Sequence, residues 1–293
     1  MEYSKSNLED YASPLSETEK EQCQHAIDMV KYALVDYGYI IKTTRNNYSD
    51  EGYAYYYELR DSSYSTITIL MQGSYANNTN IKRYSDVDVS VIYNPVIPLS
   101  LDRYFMGFKE DIYKALVQRF GTSVERKNKS LCVSGNTYRK TIDVVPAFSV
   151  SPKLEDGIQF LTDKGEKIVN YPLKQILNEN KKNKDTQYKF KKYVRILKNI
   201  KMDMEASNII STKNIGSFQV ESLLWNIPND VFTKYITLGY GVEEIIKYLI
   251  NNKVLLDYFT ESNGIKKLCS NPRERQIIEQ FIDSLNNFFV YGG

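Results

Sequence analysis

The chain holds a single histidine, His25, among its 293 residues. That scarcity disfavours a serine triad, a zincin site and any two-histidine metal centre. Cysteine is nearly as rare: Cys23, Cys132 and Cys269 stand far apart with no CxxC spacing. Neither a zinc site nor a disulfide framework follows from such spacing, and it fits a reducing cytoplasm. No uninterrupted apolar run is long enough to span a bilayer, so no membrane partner is expected. The opening "MEYSKSNLEDYASPLSETEKEQ" is polar and acidic, unlike a signal peptide. Net charge of one sign is also missing, at a formal +2, and 42% hydrophobic with 25% charged residues is an ordinary globular balance.

What is present is strong periodicity. Ser16 with Glu19 three residues on reads as a capping box opening a long amphipathic helix, "SETEKEQCQHAIDMVKYALVDYG". A tyrosine-rich segment to about Ser65 fits a hairpin or a loose connection. "STITILMQGSY" and "SDVDVSVIYN" alternate β-branched residues and predict two strands joined by a loop. A helix ending at Gly121 follows, then strands over "SVERKNKSLCVS" and "RKTIDVVPAFSV", the second closed by Pro146, and a hairpin around Lys164 and Gly165. From Leu173 onward the pattern is helical. The expected fold is therefore α+β, with a mixed α/β half over 1–170, a helical lobe over 171–293, and a cleft between them.

The chemistry concentrates in "GSYANNTNIKRYSDVDV". Residues two apart on a strand share a face, so Asp86 and Asp88 point the same way. Two such carboxylates raise each other's pKa unless a cation lies between them, and carboxylate with phosphate oxygens suits magnesium. A third acid, Asp143, interrupts the otherwise apolar "TIDVVPAF". Three carboxylates can hold two metal ions about 3.5–4 Å apart for in-line phosphoryl chemistry. Gly73 permits close backbone approach, and Ser74 offers a hydroxyl and an N–H to phosphate. The bland alternative is a Gly-Ser turn and an exposed strand edge. The ordered set favours the metal site.

"GSYANNTNIKRYSDVDVSV" followed by "TIDVVPAF" resembles the polymerase-β-like nucleotidyltransferases, and among them the cGAS/DncV-like group of bacterial cyclic oligonucleotide synthases. The resemblance covers nearly the whole chain. It implies a nucleotidyltransferase core with a mixed sheet and a long N-terminal helix, completed by a C-terminal helical lobe. It assigns Gly73 and Ser74 to the donor triphosphate, and Asp86, Asp88 and Asp143 to two Mg2+ ions, with Mn2+ as a substitute. "YVRILKNI" resembles the family helix whose lysine reaches the triphosphate, which implies Lys198, with Arg195 as an auxiliary. "GSFQVESLLW" implies Ser217 for phosphate and Phe218 for base stacking. Without the resemblance, Lys198 reads as a solvated helix position and Phe218 as a core aromatic.

The implied activity is joining of NTPs (ATP, GTP, UTP or CTP) into a cyclic di- or trinucleotide with release of pyrophosphate. A downstream effector would read that product in anti-phage defence. The alternatives are transfer to an RNA end, a protein or a small molecule, or a non-catalytic nucleotide- or RNA-binding relative. The basic stretch 181–201, with Tyr188 and Phe190 interleaved, could track an RNA activator or simply be a solvated face. No Cys/His cluster resembles the zinc ribbon of the animal DNA sensor. A cytoplasmic monomer is expected, with His25 structural.

Overall fold

A computed structural model describes residues 1–49, 52–60, 65–82, 86–95 and 100–292, with the backbone alone over 43–49 and 52–56. The chain divides into two compact units, residues 15–176 and residues 1–14 together with 177–293. It begins in the second with β1 (Glu2–Tyr3) and α1 (Lys5–Ala12). It then builds the first: α2 (Glu17–Asp36), β2 (Ile40–Ser49), β3 (Gly52–Arg60), β4 (Thr66–Gln72), the single turn α3 (Gly73–Ala76), β5 (Val87–Asn94) and α4 (Leu101–Phe120). β6 (Val124–Arg126), β7 (Leu131–Val133), β8 (Ile142–Ser149), β9 (Ile158–Leu161) and β10 (Lys167–Asn170) complete it. The chain returns through α5 (Pro172–Asp185), α6 (Phe190–Ala206), α7 (Ser217–Trp225), α8 (Asn229–Thr233), α9 (Leu238–Asn251), α10 (Pro272–Phe288) and β11 (Val290–Tyr291).

In the α/β unit the strands run in the order β10-β9-β8-β5-β4-β3-β2, with β7 also on β8 and β6 on β7. The β5–β8 pair is parallel and the remaining described pairs of this sheet are antiparallel. Val87, Val89 and Val91 of β5, and Ile142 and Val144 of β8, are fully buried. Asp88 and Asp143 between them are half-buried on the opposite face. That alternation is the period-2 signal of the sequence. α2 starts as expected: Ser16 Oγ accepts from the Glu19 N–H, and the Glu19 carboxylate accepts from the Ser16 N–H. α2 packs on α4 and β5, while α4 packs on β8 and β9, forming the helical layer over the sheet.

Three expectations change. Residues 124–133 are two short antiparallel strands around a turn, because "KNKS" between them leaves no apolar alternation to extend. Pro146 does not close β8 but sits within it. β7 pairs β8 only up to Val144 and β9 joins at Phe148, so on that flank the missing N–H falls in a gap between ladders. The unit boundary lies at 176/177 rather than 170/171, and residues 1–14 belong with the helical unit. The tyrosine-rich stretch pairs as β2 and β3, its last part, 61–64, lying outside the described residues.

The helical unit has its own core, centred on α6, which buries Phe190, Tyr193, Val194, Leu197, Ile200 and Met204. β1 and β11 pair in parallel, so the two ends of the described chain lie side by side. Among the described residues no helix is long and apolar enough to cross a membrane.

Candidate active site

Sheet register brings two of the three expected acids of the α/β unit into one row. Gln72 of β4 is opposite Asp88, Asp88 is opposite Asp143 of β8, and Asp143 is opposite Cys132 of β7. Neighbouring strands are about 4.8 Å apart, so side chains in such a row are direct neighbours on one face. Gln72 Oε1 accepts from Ser90 Oγ at 2.8 Å, fixing one end of the row. Asp86 lies immediately before β5 rather than inside it. It is exposed overall, yet partial burial of its carboxyl, and then the charge of Asp143, push its pKa above the usual range. Lys127 and Lys140 act in the opposite direction.

Gly73 opens α3 with φ +68°, a left-handed backbone that residues with a Cβ avoid. A Cβ built there would also overlap the Asp88 carboxylate. Two independent constraints thus demand glycine where the backbone passes the acid. Ser74 follows, half-buried, with its carbonyl accepting from the Thr79 N–H at 2.9 Å. In the Nδ1–H tautomer His25 donates to the Tyr138 carbonyl (3.1 Å), a structural contact.

Lys127, which sequence reasoning missed, meets Asp143. Its Nζ donates to Oδ1 at 3.1 Å and Oδ2 at 3.4 Å, and Ser130 Oγ donates to Oδ1 at 3.4 Å. Burial works against the Lys127 charge, but its bonds to Asp143 and Cys132 prevail and raise its pKa. The signal available was a basic turn, "RKNKS", directly before the strand that leads to the lone acid. Among the described residues, no three His, Cys, Asp or Glu side chains are gathered to hold a metal ion as they stand. The donor chemistry nonetheless fits a hard divalent cation: carboxylate oxygens in a row, with mutual repulsion visible at Asp86 and a cation already drawn to Asp143.

The remaining expected residues lie in the helical unit. Lys198 of α6 and Glu221 of α7 form an ion pair with both side chains 3% exposed. Arg195 is buried and its Nε donates to the Ala12 carbonyl at 2.7 Å, while burial pulls its pKa down to about 10. Through this bond it ties α6 to the end of α1. Ser217 and Phe218 are exposed on the first turn of α7, so Phe218 is no core aromatic.

The basic stretch 181–201 is not a single cationic face. It spans two helices, and Lys182, Lys191, Arg195, Lys198 and Lys201 are buried. Phe190 is fully buried too, whereas Tyr188 is exposed. An RNA backbone tracking all of 181–201 does not fit this arrangement, because five of its nine basic side chains are buried inside the unit.

Residues 177–290 match the family model of the cGAS/DncV-like nucleotidyltransferase C-terminal helical domain. A cyclic GMP-AMP synthase of Staphylococcus schleiferi is 35% identical, covering 100% of this chain and 98% of its own length. A cyclic dipurine nucleotide synthase of Elizabethkingia meningoseptica is 32% identical, covering 99% and 100%. Among solved structures, a cyclic dinucleotide synthase of E. meningoseptica with GTP and Apcpp matches with TM-score 0.79 at 30% identity, over 98% of both chains. A c-UMP-AMP synthase of Rhodothermus marinus shares the fold at TM-score 0.68 and 24% identity, over 97% of this chain and 95% of its own.

Proposed function

The chain belongs to the cGAS/DncV-like nucleotidyltransferases, and from that premise we propose that it joins two NTPs into a cyclic dinucleotide. The observation that carries the reading is the row of Asp88 and Asp143 on adjacent parallel strands, with Gly73 pressed against Asp88. The relatives matched over their full length are named for cyclic GMP-AMP and cyclic dipurine products, which favours purine NTPs here. In the reaction, a ribose hydroxyl of the acceptor attacks the donor α-phosphorus, an O–P bond forms, and the bond to pyrophosphate breaks. A second round with the other nucleotide closes the ring.

Asp86, Asp88 and Asp143 are the residues that would hold magnesium, with manganese as a substitute. When bound, the metal lowers the pKa of the attacking hydroxyl and neutralises the leaving pyrophosphate. The protein's part is positioning. The parallel β5–β8 register holds two carboxylates at fixed spacing, and the absent Cβ of Gly73 lets backbone and triphosphate approach them. Ser74 offers its hydroxyl to phosphate oxygens, and Asp143 orients the proton leaving the acceptor hydroxyl. In the helical unit, the exposed Ser217 and Phe218 are assigned to donor phosphate and base, and Lys198 to phosphate once it parts from Glu221. The cyclic product is a bacterial signal that a downstream effector reads in anti-phage defence.

Incubation with the four NTPs and Mg2+, followed by mass spectrometry of phosphatase-resistant products, tests the proposal. A cyclic dipurine that disappears in the Asp86→Asn/Asp88→Asn variant is expected. Extension of added RNA without a cyclic product, or unchanged product in that variant, overturns it.

A further inference from the structure

The turn between β6 and β7 is secured by a buried cation. Lys109 of α4, fully buried, donates to the carbonyls of Lys127 (3.4 Å) and Asn128 (3.1 Å) and to Asp163 Oδ1 (2.8 Å). Arg126 braces the same turn, reaching Asp163 through Nε and NH2 (3.1 Å each) and Glu110 through NH1 (2.8 Å). The Asp163 N–H donates to the Asn128 carbonyl at 3.0 Å, and the Lys127 N–H to the Ser130 carbonyl at 2.9 Å. An ammonium leaves water only at a large desolvation cost, so such a network is retained where a fixed geometry matters. What it fixes here is a short surface turn. That turn presents two side chains, Lys127 and Ser130, to one carboxylate, Asp143.

We propose that Lys127 is a positioning residue: a built-in counter-cation that holds Asp143 in the metal-free protein and competes with the divalent cation for it. The inference rests on the reading that Asp143 binds metal. The pair is open enough to exchange, with side chains 41% and 28% exposed. The backbone beneath Lys127 is pinned, so the ammonium leaves Asp143 by rotating its own side chain while the turn stays in place. A single charge on a flexible stem yields to a divalent ion that also engages Asp86 and Asp88, so the lysine raises the metal concentration needed for half occupancy. Lysine and metal weaken each other at Asp143 by the same factor, about two- to fivefold for a pair this open.

The test is a Mn2+ titration of the full chain, with unbound Mn2+ read by electron paramagnetic resonance. Wild type, Lys127→Met, Lys127→Arg and Asp143→Asn are compared. Lys127→Met is expected to bind Mn2+ about two- to fivefold more tightly, and Lys127→Arg to bind like wild type. Unchanged or weaker binding by Lys127→Met overturns the proposal. Asp143→Asn separates the two layers. If it binds Mn2+ as well as wild type, the metal assignment of Asp143 fails and the lysine's role with it. If it binds more weakly while Lys127→Met does not tighten, the lysine's role alone fails.

Discussion

Lys127–Asp143 in the α/β unit and Lys198–Glu221 in the helical unit join the same two functional groups under opposite conditions. The first pair keeps 41% and 28% of its side-chain surface in contact with solvent, the second 3% and 3%. Water screens the first, so parting it costs little, about 0–1 kcal/mol. The second has already given up its hydration, and removing one partner strands a charge in a medium that cannot solvate it. The lesson is that exposure decides whether an ion pair is exchangeable or structural. Under the proposed function, Asp143 passes to a metal readily, whereas Lys198 reaches a triphosphate only where the phosphate outcompetes Glu221.

The sharpest way to break this comparison is at its functional end. Asp143→Asn should lower cyclic-dinucleotide turnover about 10³-fold or more, the several kcal/mol of transition-state charge stabilisation a metal supplies. Its melting temperature should stay close to wild type, since the pair it dissolves is open. If activity survives, the exchangeable pair has no catalytic meaning. Next comes the buried pair. Glu221→Ala should destabilise the protein by about 3–5 kcal/mol in urea denaturation, and Lys198→Met/Glu221→Leu should recover most of that loss. A loss below 1 kcal/mol for Glu221→Ala would erase the distinction between the pairs.

A third lysine extends the comparison to burial without a bonded carboxylate. Lys182 donates to the Ile227 carbonyl (2.7 Å) and Asn229 Oδ1 (3.0 Å), with the Phe190 and Phe232 rings beside it. Burial pulls its pKa down to about 8, against a weaker opposing pull from Asp185. Between roughly pH 8 and pH 10 the unfolded chain then holds this proton more often than the folded one, so stability rises with pH across that window. The gain should be about 1–3 kcal/mol, read as the difference between wild type and Lys182→Met in urea midpoints at pH 8 and pH 10. Equal pH slopes would contradict it. The smallest effect belongs to the most exposed pair of this stretch, Lys181–Asp185. Lys181→Ala should change stability by no more than about 0.5 kcal/mol, and a larger loss would show that exposure is a poor guide here.

The α+β fold was legible because β4, β5 and β8 carry period-2 alternation and the helices carry a 3.6 period, both local signals. The acid row was legible for the same reason, apart from Asp86, which lies just outside its strand. What stayed hidden depended on partners distant in sequence. Nothing near Arg195 announces that its acceptor is the carbonyl of Ala12, and nothing near Lys198 announces Glu221. The basic stretch looked like a surface because its charges were visible and the groups that bury them were not. Lys127 was overlooked for the converse reason: its turn was absorbed into a strand, so its closeness to Asp143 emerged only once β7 lay antiparallel to β8.

The pairing of β1 with β11 also sets an order of events during synthesis. Residues 1–14 leave the ribosome before the α/β unit, but their partners include Arg195 on α6 and the strand at Val290–Tyr291. The whole α/β unit emerges in the interval, at about 5–20 residues per second, and can fold as a unit before the helical one has its last element. Strand β1 therefore cannot pair until Val290–Tyr291 has been made, although α1 can meet α6 earlier.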